Sequence, residues 1–170
     1  FYEIKGQKLK NKTEYLNNFN VIDPTLIKIK NSFWLFFGKK GHDENKNLYL
    51  YHSKNLKNWN AHKQNPIIKN NDINCRPAGS IISFNKKYFR PAQNCENSYG
   101  KELKINLIQK INKLNYKEKL LFTIYPKYID NNCDGIHHIS FKENFIVFDK
   151  KTYRYSLFKI FYKMLRLINN

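Results

Sequence analysis

A chain of 170 residues is long enough for one domain with a buried core. Its 41% hydrophobic and 16% aromatic content excludes an intrinsically disordered protein, and aromatics that are mostly Phe and Tyr favour strands. The formal charge of +18 would suit nucleic acid, anionic lipid or an acidic sugar, but Lys is spread along a chain also rich in Asn, Ile, Tyr and Phe, so the bias of an AT-rich coding sequence accounts for it more simply.

Residues 1–20 are polar and Lys/Asn-rich, with 1–4 readable as an edge strand, and form a lead-in. Val21-Ile22-Asp23-Pro24 then opens a run with strands expected at 25–29, 33–37 and 48–52 and a short outer strand within 56–62. The pattern restarts at Arg76, with strands at 80–84, 87–90, 103–108 and 119–124. It restarts again at Gly135, with strands at 138–141 and 145–148. The three runs DPTLIKIKNSFWLFF, RPAGSIISFNKKYFRP and HHISFKENFIVFD share one design: a polar or charged opening, an apolar strand, a polar turn and an aromatic strand. Openings roughly 50–60 residues apart match the scale of a four-stranded propeller blade. The expectation is therefore an all-β chain with about three blades over 21–150, with a generic β-sandwich as the alternative. Innermost propeller strands start near a common axis, so Asp23, Arg76 and His137/His138 are expected to converge on one pocket.

Arg occurs only at positions 76, 90, 154 and 166, and the first two open the repeated tripeptides Arg76-Pro77-Ala78 and Arg90-Pro91-Ala92. In a chain that uses Lys by default, an Arg suggests a need for planar, bidentate donors, either for a ligand or for a carboxylate of the chain itself. The cysteines, Cys75, Cys95 and Cys133, are odd in number and fit no zinc spacing, which favours a reduced, cytosolic setting. A metal site from Cys95, Cys133 and His137 is a remote alternative. No signal peptide is evident and no apolar run approaches the roughly 20 residues of a spanning helix, although the chain begins at Phe1 rather than Met. No P-loop, G-x-G-x-x-G, G-x-S-x-G or H-E-x-x-H motif is present.

The run DPTLI…FWLFFG…LYLYHS…LKNWNAHKQNPI…CRPAGSII…YFRPAQNC…YG…GIHHIS…FIVFD resembles the N-terminal domain of the glucosamine inositolphosphorylceramide transferase family over about residues 20 to 150. The RPAG…RPAQ-x-C…YG block is its most specific part. The resemblance implies a five-bladed propeller akin to the arabinanase, xylosidase, levansucrase and invertase group. The chain would then be a partial five-bladed β-propeller whose first two blades are absent and whose open edges need a partner, or a truncated product. It also implies a role in glycan or glycolipid assembly, including surface polysaccharide synthesis, as a glycosyl-group transferase or an accessory domain of one, acting alone or with a partner transferase. The ligand would be an anionic sugar or a phosphorylated sugar or lipid carrier. A non-catalytic carbohydrate-binding module is the alternative reading. A hydrolase-like enzyme and a charge-driven nucleic-acid binder without sequence specificity stand behind both.

By the same resemblance, Asp23 matches a blade-opening carboxylate of that group and is a catalytic candidate, as the carboxylate that tunes the acid in preference to the base. Arg76 stands where its general acid, a Glu, would open the next blade, and a guanidinium cannot donate a proton at neutral pH. Glycoside hydrolysis, which needs two carboxylates, is thereby disfavoured. Glu96, near Arg90 and Gln93, is the remaining acid candidate or else a surface carboxylate. Arg76, Arg90, Gln93, Tyr99, His137 and His138 are the candidate ligand-binding residues, with Tyr99 and Trp34 able to stack on a sugar or to sit in the core. The His pair resembles a last-blade His that helps hold a cation, so a structural divalent cation near His137/His138 is the one cofactor entertained. His137 is favoured over His138 for the inward position, since adjacent strand residues face opposite ways. Finally, Leu157, Ile160, Phe161, Met164, Leu165 and Ile168 fall at helical spacing with Lys159, Lys163 and Arg166 elsewhere on the wheel, so 151–170 reads as a basic amphipathic helix. Such a helix either packs on its own domain or rests on the anionic inner face of a membrane.

Overall fold

The computed structural model describes residues 2–18, 20–142 and 145–152. A leading hairpin pairs β1 (Glu3–Lys5) with β2 (Lys8–Lys10). A four-stranded antiparallel sheet follows as a simple meander of β3 (Val21–Ile29), β4 (Ser32–Lys39), β5 (Tyr49–Ser53) and β6 (Asn60–Ala61). The next sheet contains β7 (Arg76–Pro77), β8 (Ile82–Phe84), β9 (Lys87–Asn94), β10 (Glu102–Ile111) and β11 (Tyr116–Ile124). Its order is β11-β10-β9-β7, with β8 also on β9. A last hairpin joins β12 (Ile139–Lys142) to β13 (Phe145–Phe148) and is extended by the bridge between Gly135 and Lys151.

Local chemistry explains these elements. The β8–β9 hairpin turns through two residues, Asn85 and Lys86, both at positive φ (47° and 59°), the geometry of a type I′ turn that suits the twist of flanking strands. Trp34 to Phe37 of β4 are buried, with Trp34 and Phe36 in the cluster facing the next sheet and Phe37 packed on the rings of Tyr49 and Tyr51. Two apolar clusters tie the sheets together. Ile29, Trp34, Phe36, Leu48, Leu50, Cys75, Ile81 and Ile108 fill the space between the four- and five-stranded sheets. Ala78, Leu103, Cys133, Ile136 and Ile139 fill that between the five-stranded sheet and the last hairpin. Trp34 thus belongs to the core, its ring 5.5 Å from that of His52. All three thiols are free, and burial pushes Cys75 up to about 12, consistent with an inert packed residue.

The sheets correct one expectation. The all-β class and most strand positions match, but among the described residues the strands form a set of antiparallel sheets with no closure around an axis, and this set replaces the partial five-bladed propeller. A two-residue side-chain period identifies strands and says nothing of how sheets sit around an axis. Among the described residues there is no α-helix, only a 3₁₀ turn at Pro126–Tyr128. The expected C-terminal helix has no support among the described residues, because residues 153–170, which carried its spacing, lie outside them.

Arg90 is the most deeply placed charge. It is 1% exposed, and its Nε–H and Nη2–H donate to the two Glu118 oxygens at 2.8 and 2.6 Å. Nη2 also donates to the Asn74 carbonyl at 2.7 Å. Burial opposes this charge, but the Glu118 carboxylate outweighs it and raises the pKa. Arg90→Ala would leave Glu118 buried without its counter-charge and is expected to cost roughly 3–5 kcal/mol in urea unfolding, whereas Arg90→Met with Glu118→Leu should recover most of that loss.

His62, 2% exposed, spans the two larger sheets. The Gln64 backbone N–H donates to its Nδ1 at 3.1 Å, so the proton sits on Nε2 and is donated to the Asn112 carbonyl at 2.8 Å. Burial lowers its pKa from the ordinary 6.5, against the bond to Asn112, and His52 is lowered in the same way. The folded state resists the added proton, so this stabilisation is full above the ordinary value and declines as the pH falls through it. The thermal midpoint should drop between about pH 7.5 and 5, and His62→Gln should flatten that drop in a calorimetric pH series.

Candidate functional site

The site begins with an irregularity in β3. Ile22 pairs with Gly38 but Thr25 with Phe36, so β3 carries one residue too many at Asp23-Pro24. Such a bulge re-aims a side chain. Asp23 takes φ +47°, a left-handed conformation that Asp tolerates better than most residues, while Pro24 removes a ladder donor at the sheet edge. The Asp23 carboxylate is thereby turned out of the ladder toward Arg76.

Arg76 meets it from β7. Its Nε–H donates to Asp23 Oδ2 at 2.6 Å and Nη1–H donates to Asn45 Oδ1 at 2.6 Å, with Glu44 Oε1 3.9 Å away. Its Cζ lies 4.8 Å from the centre of the Tyr99 ring, and that ring is 5.3 Å from the imidazole of His137. Burial works against the Arg76 charge, but the hydrogen bond and charge of Asp23 outweigh it, and the guanidinium stays above its ordinary value. The two partners differ in exposure: the Asp23 side chain is 35% exposed and that of Arg76 12%. Asp23 faces the solvent side, and Arg76 braces it from behind.

Asp23, Thr25, Gln93, Tyr99, His137 and His138 line one cavity of about 280 Å³, with Gly79 and Ser80 on its wall. Gly79 is where three sheets meet. The Thr25 hydroxyl donates to the Gly79 carbonyl at 3.2 Å, and the Ile139 N–H donates to the neighbouring Ala78 carbonyl at 2.9 Å. Gly79 has φ +121°, and a Cβ there would strike the Ile139 carbonyl oxygen. The loop after β9 is held to the last hairpin in the same way. Gly100, at φ +65°, accepts from the Ile136 N–H at 2.8 Å, and a Cβ on it would meet the His137 Cβ at 2.7 Å. This close approach seats the Tyr99 ring against His137.

The structure brings together Asp23, Gln93, Tyr99, His137 and His138, with Arg76 immediately behind them. Gln93 is 2% exposed and its Nε2–H donates to the Pro77 carbonyl at 2.9 Å, so its chief task is to hold β7 on β9. Arg90 is not at the cavity, because its donors are spent on Glu118 and Asn74. Glu96 is also outside the lining and pairs with Lys101 at 3.0 Å. Asp23 is thus the one carboxylate lining the cavity among the described residues.

Sequence reasoning missed Asn45 and Asp149. Asp149 Oδ1 accepts the backbone N–H groups of His137 at 3.0 Å and His138 at 2.7 Å, and its Oδ2 contacts His137 Nδ1. The available signal was the Asp closing FIVFD, which hairpin register carries back to the His pair. His138 Nε2 lies 2.9 Å from the Ser140 hydroxyl. Among the described residues no three His, Cys, Asp or Glu side chains converge in a metal-holding arrangement, and the two imidazoles are engaged by Asp149 and Ser140.

The family model described as glucosamine inositolphosphorylceramide transferase 1, N-terminal, matches residues 10–144. The chain belongs to this family. Glucosamine inositolphosphorylceramide transferase 1 of Oryza sativa subsp. japonica is 34% identical over 103 residues, covering 58% of this chain and 14% of that protein. The protein of the same name from Arabidopsis thaliana is 28% identical over 135 residues, covering 72% of this chain and 17% of its own length. The chain therefore spans under a fifth of the curated relatives it matches, and its site lies within the part matched to the family's N-terminal region.

Gly79→Ala should destabilise the chain by at least about 2 kcal/mol, read as a lowered urea midpoint, because both the positive φ and the contact with Ile139 forbid a methyl group.

Proposed function

We propose that this chain is a carbohydrate-binding domain serving glycan or glycolipid assembly, with the Asp23 cavity as its sugar site. The observation that carries this reading is the presentation of one carboxylate beside an exposed aromatic ring. Asp23 is turned out by the bulge and locked by Arg76, and Tyr99 on the same cavity is 44% exposed. A carboxylate accepts from sugar hydroxyls or an amino group, an aromatic face supports the ring, and about 280 Å³ suits a single sugar unit rather than a larger ligand. The relatives' name, which pairs glucosamine with a phosphorylated lipid, supports a sugar of this kind.

The geometry favours a neutral or amine-bearing sugar over an anionic one. Arg76, the natural anion receptor, is already paired with Asp23 and Asn45 and lies behind the lining. Binding is favoured over hydrolysis, because two carboxylates must flank a glycosidic bond and only Asp23 lines this cavity among the described residues.

Ligand-observed NMR titration with glucosamine, glucose, glucuronate and inorganic phosphate tests this. Glucosamine and glucose should bind, and Asp23→Asn should weaken glucosamine by about 10-fold or more, the usual effect of removing a charge-assisted hydrogen bond. Tighter binding of glucuronate or phosphate than of glucosamine, or an unchanged affinity in Asp23→Asn, would refute the assignment.

A further inference from the structure

Asp149 lies twelve residues past His137, at the end of the last hairpin, and its carboxylate is fully committed to the His pair. One oxygen takes both backbone N–H groups of His137 and His138, at 3.0 and 2.7 Å. The other contacts Nδ1 of the His137 ring. A carboxylate oxygen only accepts, so a hydrogen bond across this contact puts the hydrogen on Nδ1. The neutral ring then has its lone pair on Nε2, and among the described residues no group bonds that nitrogen. His137 lines the cavity, its face against Tyr99.

We propose that Asp149 is a positioning residue that holds His137 in the Nδ1–H tautomer, leaving Nε2 as a hydrogen-bond acceptor for an O–H or N–H of the ligand. With Asp23 it gives the cavity two acceptors from different sheets, which selects ligands rich in donors. The inference rests on the sugar-site reading for its ligand, but the tautomer itself does not. The other charged groups facing the ring are His138 beside it, Asp23 from β3, Arg76 from β7 and Lys151 beyond β13. Lys151 Nζ donates to Ser98 Oγ and to the Tyr99 carbonyl, both at 3.0 Å, so it closes the loop over the ring.

The test is the tautomer of His137, read from imidazole ¹⁵N shifts of the full chain at about pH 8.5, well above the ordinary imidazole value of roughly 6.5. Wild type should show a protonated Nδ1 and a bare Nε2. In Asp149→Asn the amide oxygen can still accept both backbone N–H groups, while the amide N–H₂ must donate to Nδ1 and drive the proton to Nε2. That variant should show the tautomer reversed and glucosamine affinity reduced by about tenfold. A wild-type ring protonated on Nε2 overturns the proposal without any variant, so a poorly folded Asp149→Asn would not protect it. A reversed tautomer with unchanged glucosamine affinity overturns the acceptor role. If wild type binds no sugar at all, the sugar reading fails, and the ¹⁵N spectrum still decides the role of Asp149.

Discussion

One guanidinium organises the site. Arg76 binds Asp23 on β3 and Asn45 in the β4–β5 loop, and it stacks beneath Tyr99 in the loop before β10. Tyr99 in turn meets His137 at the start of the last hairpin. With Tyr99 carrying the contact on to a fourth, three segments distant in sequence are held by one planar cation. Its burial is unfavourable and is offset only because the donors find partners in fixed directions. Lys could supply the charge but neither the fork geometry nor the flat face that stacks on Tyr99. The exposed carboxylate of Asp23 depends on this brace. A left-handed Asp before Pro is a strained conformation, and the ion pair is what makes one side-chain direction preferred over others.

The two Arg-Pro-Ala copies show how identical words acquire different meanings. β7 and β9 are antiparallel partners, with Arg76 opposite Gln93 and Pro77 opposite Ala92. Arg90, three residues before Gln93, therefore lies deeper along β9, where Asn74, Asn106, Tyr116 and Glu118 surround it. Asn74 and Asn106 exchange side-chain hydrogen bonds at 3.0 and 2.7 Å, and the Tyr116 hydroxyl donates to Glu118 at 2.5 Å. Burial, reinforced by the Glu118 charge, raises the Tyr116 pKa well above its ordinary value, so the phenol stays a donor. No buried side-chain polar atom among the described residues lacks a partner, which is the condition for such a network to be tolerated in a core. Arg76 emerges at the rim and serves the cavity, while Arg90 stays inside and serves the fold.

Cavity chemistry and membership in the transferase family support one picture on different grounds. The family relation covers the segment that carries every lining residue. The lining offers acceptors and an aromatic face, with one carboxylate among the described residues. Such a lining is compatible with the binding role proposed above.

The sequence by itself determined the strand content, the turn at Asn85-Lys86 and the family. Each is written in short-range signals: side-chain period, turn chemistry and a specific motif block. It also implied a partial ring of blades that the described sheets do not form, since sheet arrangement is set by long-range packing. Only the tertiary structure decided that Arg76 braces rather than lines the cavity, that Arg90 is buried on Glu118, that Glu96 is turned to Lys101, and that Asp149 holds the His pair. Those outcomes depend on which charge meets which, over separations of 5 to 53 residues, within a loop, within a sheet or between sheets. No local pattern encodes that pairing, because it follows from strand register and from a single extra residue at the β3 bulge.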